Sequence, residues 1–121
     1  MSRRAWNSTL SAPSKPMRKV SARREREDDE YLALRRRVLE RDGRRCRAHR
    51  LGYAPEVPCA GPLEVDHFVP VGVWKGGRLV DDNCWAMCQR LNQAKNADPA
   101  WAVRIGIMSR TPGDPPPEVA P

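Results

Sequence analysis

Residues 63–96 read LEVDHFVPVGVWKGGRLVDDNCWAMCQRLNQAKN, and the fold turns on how this stretch is divided. Leu63, Val65 and His67 alternate with Glu64 and Asp66, the period of a short strand. Gly61-Pro62 makes a turn before it. Phe68 to Val71 continues the strand or opens the next loop, and Pro70 is consistent with an ending there. Lys75-Gly76-Gly77-Arg78 is a flexible loop. Asp81 or Asp82 can cap a helix over about 83–95, and Asp98-Pro99 can open another over about 99–108. The order is strand, loop, helix, with polar residues gathered at the strand end and along the helix.

Upstream, residues 21–42 read as a helix. Ser21 is placed to cap it, acids crowd its first turns, and Tyr31, Leu34, Val38 and Leu39 recur near helical spacing. Gly43 is a stop signal. Residues 1–20, with several Ser and Pro and five basic side chains, read as a disordered basic arm. Residues 109–121 end in TPGDPPPEVAP and read as a disordered Pro-rich tail. That leaves one domain over 21–108. Its apolar core is expected from Tyr31, Leu34, Val38, Leu63, Val65, Val69, Trp85, Met87, Leu91, Trp101 and Ile105. Trp85 and Trp101 are read as core rather than as platforms for stacked bases.

The chain has 121 residues and a net charge of +7, unevenly spread. The first 50 residues hold 16 of the 22 Lys and Arg against 7 acids, whereas the remainder holds 6 against 8. Such asymmetry suggests a polyanionic partner, and nucleic acid fits best because each phosphate contact releases counterions. No apolar run reaches the roughly 18 residues of a membrane span, and the N-terminus lacks the apolar segment of a secretory signal. A reducing cytoplasm is therefore expected. The four cysteines, 46, 59, 84 and 88, then read as metal ligands or core residues rather than disulfides.

Asp66, His67, Asn83 and Asn92 stand out, with Lys95 one turn beyond Asn92. Hydrolysis of a phosphodiester needs a water, a base to deprotonate it and a cation to offset the developing charge. A neutral His suits the base role near neutral pH. A carboxylate and an amide oxygen suit Mg²⁺ or Mn²⁺, hard cations that keep much of their hydration. Adjacent strand residues point to opposite faces, so Asp66 and His67 can serve one point only if the strand ends and bends there. Asn83 is placed to tie down the loop or hold the His backbone. Lys95 lies on a neighbouring helix face, within reach of a phosphate.

These residues, VDHFVP…GG…DDNCWAMCQRLNQAKN, resemble the signature of the HNH endonucleases, whose core is the ββα-metal (His-Me finger) fold. The resemblance is to the Asp-His…Asn…Asn variant, like the HNH domain of Cas9 and phage resolvase endonucleases, and covers about 35–97. It implies an α+β fold: a small ββα-metal core with a preceding helix and a basic arm. It implies His67 as general base, Asp66 and Asn92 as metal ligands, and Asn83 as the loop-stabilising member of the catalytic set. Lys95, Arg41, Arg44 and Arg45 would bind the DNA backbone. One metal per site gives one nick, so cutting both strands would need a dimer or two nicks. No base-reading element is present, so weak sequence specificity is expected. The leader more loosely resembles those of small phage and prophage HNH proteins. That implies the host cytoplasm and a terminase or other DNA-processing machine as partner. The alternative is a non-catalytic DNA-binding or packaging-accessory module on an HNH-like core. A small zinc-stabilised interaction protein is a further rival.

Many HNH proteins carry two Cys-x-x-Cys knuckles around a structural Zn²⁺. Here the first reads Cys46-Arg47-Ala48-His49, and the second, from Cys88, lacks its last ligand. Cys46, His49, Cys59 and Cys88 supply the four ligands of a tetrahedral site if the 50–58 loop folds back. Cys84 and Cys88 share a face if they lie on a helix. Otherwise the thiols are ordinary small buried residues.

Overall fold

The computed structural model describes residues 22–118, with side chains from Asp28 onward. The 1–20 arm, Ser21 and the last three residues of the tail lie outside the described residues. Helix α1 (Ala22–Arg41) is followed by one turn of helix, α2 (Arg47–Arg50), and a loop into strand β1 (Leu63–His67). Two 3₁₀ turns, Lys75–Gly77 and Asp81–Asn83, lead to strand β2 (Cys84–Cys88), then helix α3 (Gln89–Ala97) and helix α4 (Pro99–Ile105). The fold is α+β, with β1 and β2 antiparallel in one two-stranded sheet, Leu63 opposite Cys88 and His67 opposite Cys84.

The helix expected over 83–95 is corrected. Its first half is a strand, and Asp81 and Asp82 sit in a 3₁₀ turn instead of capping a helix. Every residue of Cys84–Cys88 is buried. Cys84 and Ala86 pack toward α1 with Leu34, Val38, Leu39 and Val65. Trp85 and Met87 pack on the other side with Phe68, Leu91 and Ile107. A strand covered on both faces loses its apolar-polar alternation, so its sequence cannot be told from a helix by period. Helix α3 starts only at Gln89, where the Cys88 sulfur accepts the Leu91 N–H at 3.4 Å.

Helix α4 also stops short of 108. Asp98 caps it by accepting the Trp101 N–H at 3.1 Å, Pro99 occupies its first turn, and Gly106 ends it in the left-handed region at φ 94°. Ile107 and Met108 then leave the helix and enter the core. Residues 109–118 form no helix or strand, as their prolines dictate, yet they are not loose. The Ser109 N–H donates to Phe68 O, Pro116 is buried, and Arg47 donates twice to Pro117 O, at 2.9 and 2.6 Å. The reading of a free tail is therefore revised as far as Glu118.

Two small cores result, one on each face of the hairpin. Asp42, just past α1, joins them at one edge. Its carboxylate accepts the Ala86 N–H of β2 at 2.9 Å and pairs with Arg41 and Arg47. Burial pushes its pKa up, but the hydrogen bonds from Arg41 and the Ala86 amide and the charges of both arginines prevail, so Asp42 lies below the ordinary carboxylate value.

Candidate functional site

The sheet register sets the site. Glu64 and Asp66, two apart on β1, lie on the Met87–Trp85 face, and Asn92 and Lys95, three apart on α3, meet them. The Asn92 amide nitrogen donates to Glu64 Oε1 at 2.8 Å, and the Lys95 ammonium donates to Asp66 Oδ2 at 2.5 Å. Asp66 Oδ2 also accepts the Trp85 indole N–H at 2.9 Å, and Lys95 donates to His67 O at 3.1 Å. Burial raises the Asp66 pKa, countered by Lys95, Trp85 and His67.

Asp66, His67, Asn92 and Lys95 line one cleft of about 410 Å³, with Asn96 and Pro70 beside them. Pairing stops at His67, and the chain bends at Phe68-Val69, so neighbouring strand residues reach the same space. The Nε2 of His67 lies 2.9 Å from Arg78 O. A carbonyl only accepts, so Nε2 carries the proton and the neutral ring keeps its lone pair on Nδ1. Among the described residues Nδ1 has no hydrogen-bond partner. In the same way Glu64 takes the amide nitrogen of Asn92 and leaves its carbonyl oxygen available. Asp66 Oδ1 receives no hydrogen bond from a described residue.

Asn83 is almost fully buried and holds the loop around His67. Its Oδ1 accepts Val69 N–H at 2.9 Å, and its Nδ2 donates to Val69 O at 3.0 Å and Gly77 O at 3.2 Å. Only glycine fits at 77, since a Cβ would stand 2.5 Å from the Trp74 ring and 2.7 Å from Asn83 Nδ2. The next residue, Arg78, presents the carbonyl that orients His67.

Two expected phosphate contacts are corrected. Lys95 is 3 % exposed, and its ammonium is used inside on Asp66 and His67 O. The guanidinium of Arg41 is spent on Asp42, Asp81 O and Cys84 O, the last at 2.6 Å. Arg44 and Arg45 are exposed. Sequence reasoning missed Glu64, although its two-residue offset from Asp66 puts both on one face. It also missed Asp42 and Arg47, whose partners lie up to 70 residues away and leave no local signal.

A second cluster stands at the other end of the hairpin. The ligand atoms of Cys46, His49, Cys59 and Cys88 all lie within 4.8 Å of one another, a set that can hold a metal ion such as zinc. His49 Nδ1 is 3.3 Å from Cys46 Sγ and 3.6 Å from Cys88 Sγ. Tetrahedral Zn²⁺ with bonds of about 2.0–2.3 Å spaces its ligands by roughly 3.6 Å. His49 Nε2 is 2.7 Å from Val57 O, which fixes the proton there and turns the Nδ1 lone pair to the thiols. Burial, then the neighbouring thiols, push Cys59 up to about 11, and burial likewise raises Cys46. A soft metal would have to displace those protons. Cys84 stands apart, deep under α1 and pushed up to about 12 mainly by burial, an inert thiol. No helix of the described residues is long and apolar enough to cross a membrane. Compared with known proteins, the chain matches no family model, no curated protein and no solved structure.

Proposed function

We propose that this chain is a divalent-metal-dependent endonuclease of the HNH type, hydrolysing phosphodiester bonds of DNA on a ββα-metal core formed by β1, β2 and α3. The carrying observation is that Asp66, His67 and Asn92 line one cleft, with the His67 proton held on Nε2 by Arg78 O. That hydrogen bond makes Nδ1 the basic nitrogen, the atom able to take a proton from an attacking water. Asp66 Oδ1 and Asn92 Oδ1 are the oxygen donors that would hold Mg²⁺ or Mn²⁺, and the pair fits a hard cation that keeps its remaining ligands as water and phosphate. When bound, the cation supplies positive charge for the developing phosphorane and the leaving oxygen. Glu64 orients Asn92, Asn83 and Gly77 set the loop behind His67, and Lys95 fixes the Asp66 carboxylate against the His67 backbone. The reading carries with it the cytoplasm and a DNA-processing partner, a phage packaging machine among them.

One observation favours a second reading, a DNA-binding module without catalysis: the Lys95 ammonium already balances Asp66. The two part on a supercoiled plasmid with Mg²⁺, Mn²⁺ or EDTA. A nuclease nicks with either metal, stops in EDTA, and loses about 10²–10⁴-fold in His67→Ala while that variant still retards DNA in a gel. A binder nicks in no condition.

A further inference from the structure

Beyond the cleft, five of the ten exposed arginines among the described residues gather in one region. A second groove, of about 400 Å³, lies over the Cys/His cluster and is lined by Arg44, Arg45 and Arg50 with Ala60, Gly61 and Leu63. Arg35 donates to Leu63 O at 3.4 Å, and Arg90 is anchored through its N–H on Ala60 O at 3.1 Å. All five side chains are exposed. From Gly43 to Pro55 the chain has four arginines and no carboxylate, and from Val57 to Leu63 it has no charge at all. The acids bordering these stretches are Glu40, in an exposed 3.5 Å pair with Arg44, Asp42, already paired with Arg41 and Arg47, the exposed Glu56, and Glu64, which accepts from Asn92. Arg44 holds a left-handed backbone at φ 56°, a conformation unfavourable for a side chain of this kind.

We propose that Arg35, Arg44, Arg45, Arg50 and Arg90 form a track for the phosphates of one nucleic-acid strand, running from the Cys/His cluster toward the His67 cleft. Local charge balance does not account for them. Three thiolates and a neutral imidazole around Zn²⁺ would leave one net negative charge, and Glu40 and Glu56 add two, against five guanidiniums. Guanidiniums present planar donor forks that suit phosphate oxygens. The track begins beside Leu63, and the cleft lies at His67, four strand steps or about 13 Å along β1. That equals about four nucleotide rises. The strand would thus be gripped roughly four nucleotides from the bond to be cut. This assignment rests on the nuclease reading for its direction, not for its contacts.

The test uses the full chain with His67→Ala in the background, so that DNA stays intact, and a labelled 20-base-pair duplex titrated across NaCl concentrations. Arg44→Ala/Arg45→Ala/Arg50→Ala should flatten the slope of log affinity against log salt by about 2.7, near 0.9 per lost phosphate contact, and weaken binding about a hundredfold near 0.1 M salt. An unchanged slope and affinity would overturn the track. Zinc content and the melting transition confirm folding. If the triple variant fails there, Arg35→Ala/Arg90→Ala carries the test, with a slope flatter by about 1.8 expected and an unchanged slope overturning it. The nuclease reading is scored separately. With His67 intact, it is read by nicking of supercoiled plasmid in Mg²⁺ against EDTA. Absent plasmid nicking with a flattened slope would sink the nuclease and leave the track standing. Nicking with an unchanged slope would do the reverse.

Discussion

Single side chains decide this site by fixing which atom of a neighbour is left over. Arg78 O leaves Nδ1 of His67, and Glu64 leaves the carbonyl of Asn92. Glu64→Ala should therefore slow nicking by about 10–100-fold while the circular dichroism spectrum stays the same, since it removes an orienting partner and no core contact. Equal rates would show that Asn92 needs no such support. Asp42 is the structural counterpart. Removing it leaves the Ala86 N–H unpartnered and the buried Arg47 without its counter-charge, and Asp42→Ala should cost about 3–5 kcal/mol in urea unfolding. Its folded pKa lies below the unfolded value of about 3.9, so its contribution is present above that pH and lost as pH falls through the folded pKa. The stability gap between wild type and Asp42→Asn should therefore shrink below about pH 4. A gap that stays constant with pH would remove Asp42 from the acid response. The meeting of Asp66, His67 and Asn92 in one cleft was legible in the sequence because order and spacing carry it. Lys95 and Arg41 were misread because a basic side chain looks solvent-bound until its buried acceptors, Asp66 and the Cys84 carbonyl, are located.

At the scale of elements, β1 was readable and β2 was not, and the reason is the same sheet. β1 keeps Glu64 and Asp66 polar because α3 answers them with Asn92 and Lys95, so its alternation survives. β2 is sealed between α1 and the main core, and CWAMC carries no period. The α1 packing then follows from Leu34 and Val38, both fully buried against Ala86 and Cys84. Leu34→Ala should cost about 2–5 kcal/mol, with the spread set by how far α1 can settle onto the sheet. A loss under 1 kcal/mol would mean that α1 is not held by this face.

For the whole molecule, two thin cores and a tail bound at Pro117 leave little stability to spare, and the Cys/His cluster joins α2, the 59 loop and the end of β2. Zinc added to the chelator-treated protein should raise the melting temperature by about 10 °C or more, and Cys59→Ser should remove most of that gain although the thiol is exposed. The four candidate donors were legible from their count, but their meeting depends on the 50–58 loop folding back, which spacing alone does not dictate. The proposed chemistry needs Asp66 and Asn92 to share a cation beside His67. The most direct measurement is anomalous diffraction from crystals soaked in Mn²⁺. One Mn²⁺ within about 2.2 Å of an oxygen of Asp66 and of Asn92 is the expected result. A cleft without manganese, with Lys95 still on Asp66, would contradict it.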